Sequence, residues 1–195
     1  MSSNKRRIAV LGSRSVGKSS LIIQYCQNEF IDSYYPTIES TFAKTVKFKN
    51  VEYDVDIIDT AGQDEFSLLN SKHAIGIHGY VLHAIGIHGY VLVYSVNSRN
   101  SFDMIQIIYD KIISFCGVAS IPCVIVGSKS DLEASRQVNS EEGKRLAGEN
   151  HTAFVETSAK LNENVAKVFE ECLEEIEKRV PNNEAEPPAS KCWIM

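Results

Sequence analysis

The 195-residue sequence has no apolar run near the about 18 residues of a membrane span, so no transmembrane helix is expected. It has only five cysteines, Cys26, Cys116, Cys123, Cys172 and Cys192, scattered, odd in number and without a C-x-x-C pair. That argues against a disulfide framework and for reduced thiols in the cytosol. The basic start MSSNKRR is followed by IAVLG, too short for the core of a signal peptide. Positive charge is also short, with 20 Lys and Arg against 25 Asp and Glu, and the net charge of −5 argues against a nucleic-acid partner. What remains is an ordinary globular composition, long enough for one domain with a substantial core.

Short apolar runs recur, each followed by a helical pattern. Residues 6–12, 52–59, 89–96, 122–127 and 153–157 read as strands, several of them continuous Val/Ile/Leu runs, as expected of parallel strands covered on both faces. Residues 40–48 alternate more and read as an edge strand, paired with 52–59 around a turn at Lys49 and Asn50. Helices are expected at 17–28, about 64–72, 98–116, 140–149 and 162–179. In the last, Val165, Phe169, Cys172 and Ile176 share a face, Asn162 can cap, and Lys178 and Arg179 suit the C-terminal dipole. The chain thus reads as one α/β domain over residues 1–180, a six-stranded, mostly parallel sheet with helices on both faces. A polar tail over 181–195, without periodicity, is expected to be disordered.

Residues 73–92 are one ten-residue word, HAIGIHGYVL, written twice. A fixed period usually announces an array, but this one stops at two copies. The second copy runs on into VYSV and the first into HAIG, so the second is expected to supply the buried strand. Nothing in the fold asks for the ten extra residues. Gly76, Gly79, Gly86 and Gly89 make one long helix costly, at about 1 kcal/mol each. Residues near 73–84 are therefore expected to form a surface excursion or an irregular helical extension, partly exposing Ile75, Ile77, Tyr80 and Val81. His73, His78, His83 and His88 suggest a metal cluster, but their spacing turns neighbours about 140° apart on a helix and to opposite faces of a strand.

The segment GSRSVGKS at 12–19 fits G-x-x-x-x-G-K-[ST] between a strand and a helix. Backbone N–H groups from Arg14 through Ser15, Val16 and Gly17 to Ser19 can wrap a phosphate, and the helix N-terminus adds positive potential. Lys18 can neutralise β/γ oxygens and the Ser19 hydroxyl can ligate Mg²⁺. DTAGQ at 59–63 closes a strand with an acid. Asp59 would hold the metal through water, the Gly62 N–H can meet a γ-phosphate, and Gln63 can orient a water. SKSD at 128–131 and TSAK at 157–160 follow strands, at the end where open α/β sheets bind ligands. The Asp131 carboxylate can accept from both N1–H and the 2-amino group of guanine, a pairing adenine does not offer. Lys129 can lay its alkyl stem on the base, and the Ala159 N–H can donate to O6.

Together these segments resemble the Ras superfamily of small GTPases over nearly the whole chain. Within it, GSRSVGKSSL, FIDSYYPTIESTF, DTAGQDEFS, GYVLVYSV and EEGKRLA look like the Rheb family, and Arg14-Ser15, where most Ras proteins carry glycine first, is the most telling pair. The resemblance implies a P-loop NTPase fold and a GTP/GDP switch with Mg²⁺ and slow hydrolysis. Lys18, Gln63 and Thr37 would act in catalysis, with Ser19 and Thr37 on the metal. Tyr34 and Thr37 would close over GTP, and Ser20, Ile31, Ser158 and Lys160 would join the nucleotide contacts. Residues around 34–42 would engage effectors. The implied output is activation of the TOR kinase complex by a monomer, opposed by a tuberin-type GAP.

Three departures from the family pattern stand out. Ser128 replaces the Asn of N-K-x-D; serine is shorter and is not expected both to bridge to the P-loop and to reach base N7, so nucleotide loss should be faster. Tyr35 stands where Asp usually precedes Pro-Thr, and Ser40 where Asn is expected, both in the effector region. Arg14 is expected to crowd the γ-phosphate side and slow hydrolysis, whereas as a cis arginine finger it would accelerate it. The chain ends CWIM, with Cys192 placed for farnesylation although Trp193 is bulky for its slot. Without an upstream polybasic run or second Cys, anchoring is expected to be reversible, on the cytoplasmic face of endomembranes (lysosome, Golgi, ER) with a cytosolic pool. The rival readings are a GTP-loaded signalling module with negligible hydrolysis, another Ras-family GTPase, and another P-loop enzyme such as a nucleotide kinase. The last should carry an arginine-rich lid and a second substrate site, and neither is found.

Overall fold

In the computed structural model, residues 4–32, 37–62 and 86–179 are described. Among them six strands form one sheet: β1 (Asn4–Gly12), β2 (Ser40–Phe48), β3 (Val51–Asp59), β4 (Gly89–Ser95), β5 (Cys123–Ser128) and β6 (Ala153–Thr157). The helices are α1 (Lys18–Gln27), α2 (Arg99–Cys116), α3 (Ser140–Glu149) and α4 (Val165–Glu177). The strand order is β2-β3-β1-β4-β5-β6, with β2 antiparallel to β3 and the other pairs parallel. The hairpin turn falls where the sequence places it. Phe48 faces Val51, and Lys49 and Asn50 take φ 47° and 66°, the paired positive values that let a two-residue turn follow the strand twist.

Every residue of β4 is buried, because alternate side chains meet helices on opposite faces. Val91 and Val93 join Ile8, Val10, Ile57, Val124 and Val126 against Leu21 and Ile22 of α1 and Phe169, Leu173 and Ile176 of α4. Tyr90, Leu92 and Tyr94 join Leu11 and Ile125 against Ile105 and Ile108 of α2 and Ala147 of α3. Full burial of such side chains is worth about 1.5–3 kcal/mol each, which makes the two interfaces the main source of stability. The edge strand β2 alternates between exposed and half-buried positions instead.

The strand at the centre is built from the second copy of the repeat, as its longer apolar run requires. Its entry is held to β1 from both sides: the His88 N–H donates to the Arg7 carbonyl at 2.8 Å, and the Arg7 N–H donates to His88 Nδ1 at 2.9 Å. Gly89 then passes under α4 so closely that a Cβ there would lie 2.8 Å from Ile176 Cδ1 and 2.9 Å from Cys172 Sγ.

Most boundaries fall within one or two residues of expectation, and the largest difference is at the last helix. The last helix starts at Val165 with Asn164, not Asn162, as its cap. Residues 158–163 are drawn into a turn closed by Ser158 N–H to Glu163 O at 3.1 Å and Glu163 N–H to Ser158 O at 2.9 Å, with Asn162 left-handed at φ 55°. Its other end closes with Lys178 as C-cap, its ammonium 2.8 Å from Glu175. The helix expected at about 64–72, the excursion at 73–84, His73, His78, His83, Tyr34, Tyr35, Gln63 and the tail with Cys192 lie outside the described residues.

Candidate functional site

The loop from β1 to α1 leaves the C-terminal end of the sheet and turns into the helix through two left-handed residues. Ser15 has φ 59°, and Gly17, the N-cap of α1, has φ 99°, a conformation that favours glycine. Lys18 folds back over this loop, donating from Nζ to the Gly12 carbonyl at 3.0 Å and the Ser13 carbonyl at 2.9 Å. Burial lowers its pKa to about 8, with the Asp59 carboxylate pulling the other way. A cation thus sits beside the N-terminus of α1, and both attract anionic oxygen.

At the next corner three oxygen-bearing side chains converge. Ser19 Oγ and Thr37 Oγ1 are 2.9 Å apart, and Asp59 ends β3 at 2% exposure. Burial raises the Asp59 pKa, opposed by a hydrogen bond from Ser19 and by the Lys18 charge. Among the described residues, Asp59 Oδ1 and Tyr94 Oη are the two buried side-chain atoms without a hydrogen-bond partner. An unpaired carboxylate oxygen in such a place calls for a positive charge or a water held by one. Two hydroxyls and a carboxylate form an all-oxygen set that suits a hard divalent cation such as Mg²⁺. The segment after Asp59 is fastened to β1 by the Thr60 hydroxyl, which donates to the Val10 carbonyl at 2.8 Å. It then presses on the phosphate loop. A Cβ on Gly62 would lie 2.5 Å from both Cα and Cγ of Arg14, so only glycine fits against the loop there.

The far end of the groove is built by the ends of β5 and β6. Ser128, last in β5, has its Oγ 2.5 Å from the Val16 carbonyl oxygen and 2.8 Å from that of Tyr94, so its one proton lies between two acceptors and holds the strand end beside the phosphate loop. Lys129, left-handed at φ 60°, reaches across to the Ser15 carbonyl at 2.7 Å, and burial lowers its pKa. The turn after β6 places the Ser158 hydroxyl 2.5 Å from Asp131 Oδ1, so one carboxylate oxygen is held by the protein. Ser158 is itself fully buried and accepts the Leu161 N–H at 3.1 Å.

These three parts border one cleft of about 380 Å³, within the size range of small-molecule sites. Of the residues expected from sequence, Arg14, Ser15, Gly17, Lys18, Ser19, Ser20, Ile31, Thr37, Gly62, Ser128, Lys129, Asp131, Ala159 and Lys160 line it. Val16 and Ser158 stand behind its wall, the first receiving the Ser128 hydroxyl and the second orienting Asp131. Sequence reasoning missed Leu21, Phe30, Asp32, Leu132 and Thr157, which also line the cleft. Phe30 and Leu132 are large apolar side chains 38% and 37% exposed at its mouth. Their only sequence signal was proximity to the motifs. His88 is engaged at β1, and among the described residues no cluster of His, Cys, Asp or Glu could hold a metal ion.

Comparison with known proteins agrees with this geometry. The model of the Ras family matches residues 7–178. The GTP-binding protein rhb1 of Schizosaccharomyces pombe is 58% identical over 174 residues, 89% of each chain. The small monomeric GTPase RhbA of Aspergillus fumigatus is 49% identical over 193 residues, 98% of this chain and 97% of its own. The GTP-binding protein Rheb of Homo sapiens is 43% identical over 193 residues, 99% and 98% of the two chains. A lysine-bearing loop at a helix N-terminus, an acidic oxygen corner and a carboxylate held by Ser158, on a sheet of this order, are accounted for together: the chain belongs to the Ras family, as a Rheb-like small GTPase.

Proposed function

We propose that the cleft binds GTP and GDP with Mg²⁺ and that the chain works as a molecular switch whose own GTP hydrolysis is slow. The observation that carries this reading is the single cleft itself, with Lys18 and Ser19 at one end and Asp131 at the other. The α1 N-terminus and the loop amides from Arg14 to Ser19 bind phosphate, and Lys18 neutralises its oxygens. Ser19 and Thr37 hold the metal directly and Asp59 holds it through water. Mg²⁺, when bound there, supplies positive charge to the β and γ oxygens. Asp131, steadied by Ser158, selects guanine by accepting N1–H and the 2-amino group, while Lys129 covers the base and the Ala159 N–H meets O6. Phe30 and Leu132 shield its edges from water. Gln63 orients the attacking water, and Tyr34 and Thr37 close over the γ-phosphate side.

We assign to this switch a GAP of the tuberin type and, as effector of the region around 34–42, the TOR kinase complex; membership of the Rheb-like GTPases supports partners of these kinds. Among the described residues no helix is long and apolar enough to cross a membrane. We assign membrane attachment to a farnesyl group on Cys192, placing a monomer reversibly on endomembranes, with a cytosolic pool. The deciding experiment measures the nucleotide content of the purified full chain, then single-turnover hydrolysis of GTP with and without Mg²⁺. Copurified guanine nucleotide and slow Mg²⁺-dependent release of phosphate are expected. A protein that carries adenine nucleotide, or binds none while folded, overturns the reading.

A further inference from the structure

The Ser128 hydroxyl has one proton and two carbonyl acceptors. Its Oγ lies 2.5 Å from the Val16 oxygen and 2.8 Å from the Tyr94 oxygen, and the residue is only 4% exposed. A hydroxyl donates once, so whichever carbonyl receives the proton, none is left for a third acceptor. Purine N7 is an acceptor only. The neighbours of Ser128 set where that atom would lie. Asp131 presents its carboxylate with one oxygen held by Ser158, and the Lys129 side chain spans to Ser15 along one wall. A guanine that offers N1–H and its 2-amino group to Asp131 turns its five-membered ring back toward the end of β5 and the phosphate loop. There it meets Gly17, which has no side chain, and Ser128, whose proton is engaged.

Resting on the nucleotide reading above, we infer that this chain recognises guanine through its Watson–Crick edge alone and leaves N7 unread, so that 7-deazaguanine nucleotides are ligands equal to the natural ones. Position 128 is then the residue that determines this specificity. An asparagine there would have two amide protons, one for the Val16 carbonyl and one for N7. Serine keeps the structural tie and gives up the contact with the base.

The test sets GDP and 7-deaza-GDP in competition with a fluorescent GDP on the full chain in Mg²⁺. The two should bind the parent chain within about twofold of each other, less than one hydrogen bond is worth. In the Ser128→Asn chain, GDP should bind about three- to tenfold more tightly than its 7-deaza analogue and leave several-fold more slowly. Ser128→Ala should weaken both ligands together, since it removes only the tie to the loop. A parent chain that prefers GDP by the larger margin overturns the inference, as does a Ser128→Asn chain without preference or a Ser128→Ala chain that loses affinity for GDP alone. Should the folded parent bind neither ligand, the nucleotide reading itself falls.

Discussion

On the proposed reading, selection in this cleft depends on side chains that are held by other side chains. The Asp131 carboxylate is one bond from Ser158, and a hydrogen bond to a charged group is worth about 1.5–3 kcal/mol. Ser158→Ala should therefore lower the affinity for GDP by about ten- to a hundredfold, read by competition binding. Unchanged affinity would show that Asp131 needs no support. Arg14 is a second case, since its Cα and Cγ lie where a Cβ on Gly62 would have to go. On the proposed reading, a side chain packed so tightly against Gly62 should narrow the room in which Gln63 places a water. Arg14→Gly should accelerate single-turnover GTP hydrolysis, and a slower variant would make Arg14 a cis arginine finger instead.

Among the elements, β4 is where sequence ambiguity was greatest, because Gly79 and Gly89 stand in identical decapeptides. The sheet has one place for this glycine, beneath Cys172 and Ile176 of α4, and Gly89 occupies it. Gly89→Ala should cost about 1–3 kcal/mol by overpacking. Gly79→Ala should stay within about 0.5 kcal/mol of the parent in denaturant titrations. Equal losses would mean that the copies share the strand. The seam between β1 and β4 should also respond to pH. His88 accepts the Arg7 N–H at Nδ1, and burial together with Arg6 and Arg7 lowers its pKa, while Glu177 opposes the shift. A histidine with a depressed folded pKa binds its proton more readily when unfolded. Its contribution is complete above about pH 6.5, the ordinary imidazole value, and is lost as pH falls below it. The gap in melting temperature between the parent and His88→Ala should narrow from pH 7.5 to pH 5. A constant gap would show that His88 keeps its role when protonated.

For the whole molecule, the ten-residue insertion should be separable from the nucleotide fold. All six strands and the cleft's described lining form without any residue of 73–82. A chain lacking those residues should bind GDP with parental affinity. Its response to a GAP should rise, because only five residues separate the insertion from DTAGQDEFS, the segment expected at the γ-phosphate end. Lost GDP binding, or unaltered GAP sensitivity, would show that the insertion serves the domain differently.

What the sequence by itself determined is what short-range chemistry determines. Period-two and continuous apolar runs marked the six strands, because a strand covered on both faces has no polar positions to spare. Lys49-Asn50 marked the hairpin, and GSRSVGKS marked the phosphate loop, because left-handed backbone and converging amides need those residues in immediate succession. That Asp131 lines the cleft was legible because ligands of open α/β sheets bind beyond the C-terminal ends of the strands. Tertiary structure alone decided the pairings between distant segments. Ser128 meets Val16 and Tyr94, 112 and 34 residues away, and Ser158 meets Asp131, 27 residues away. No local pattern records such meetings, which exist only once the strand ends lie side by side. The same holds for the turn at 158–163, which moved the start of α4 from Asn162 to Asn164 by pairing Ser158 with Glu163. Two identical words competed for one strand, and the choice fell to packing: only the copy that continues as VYSV can bury both faces between the helices.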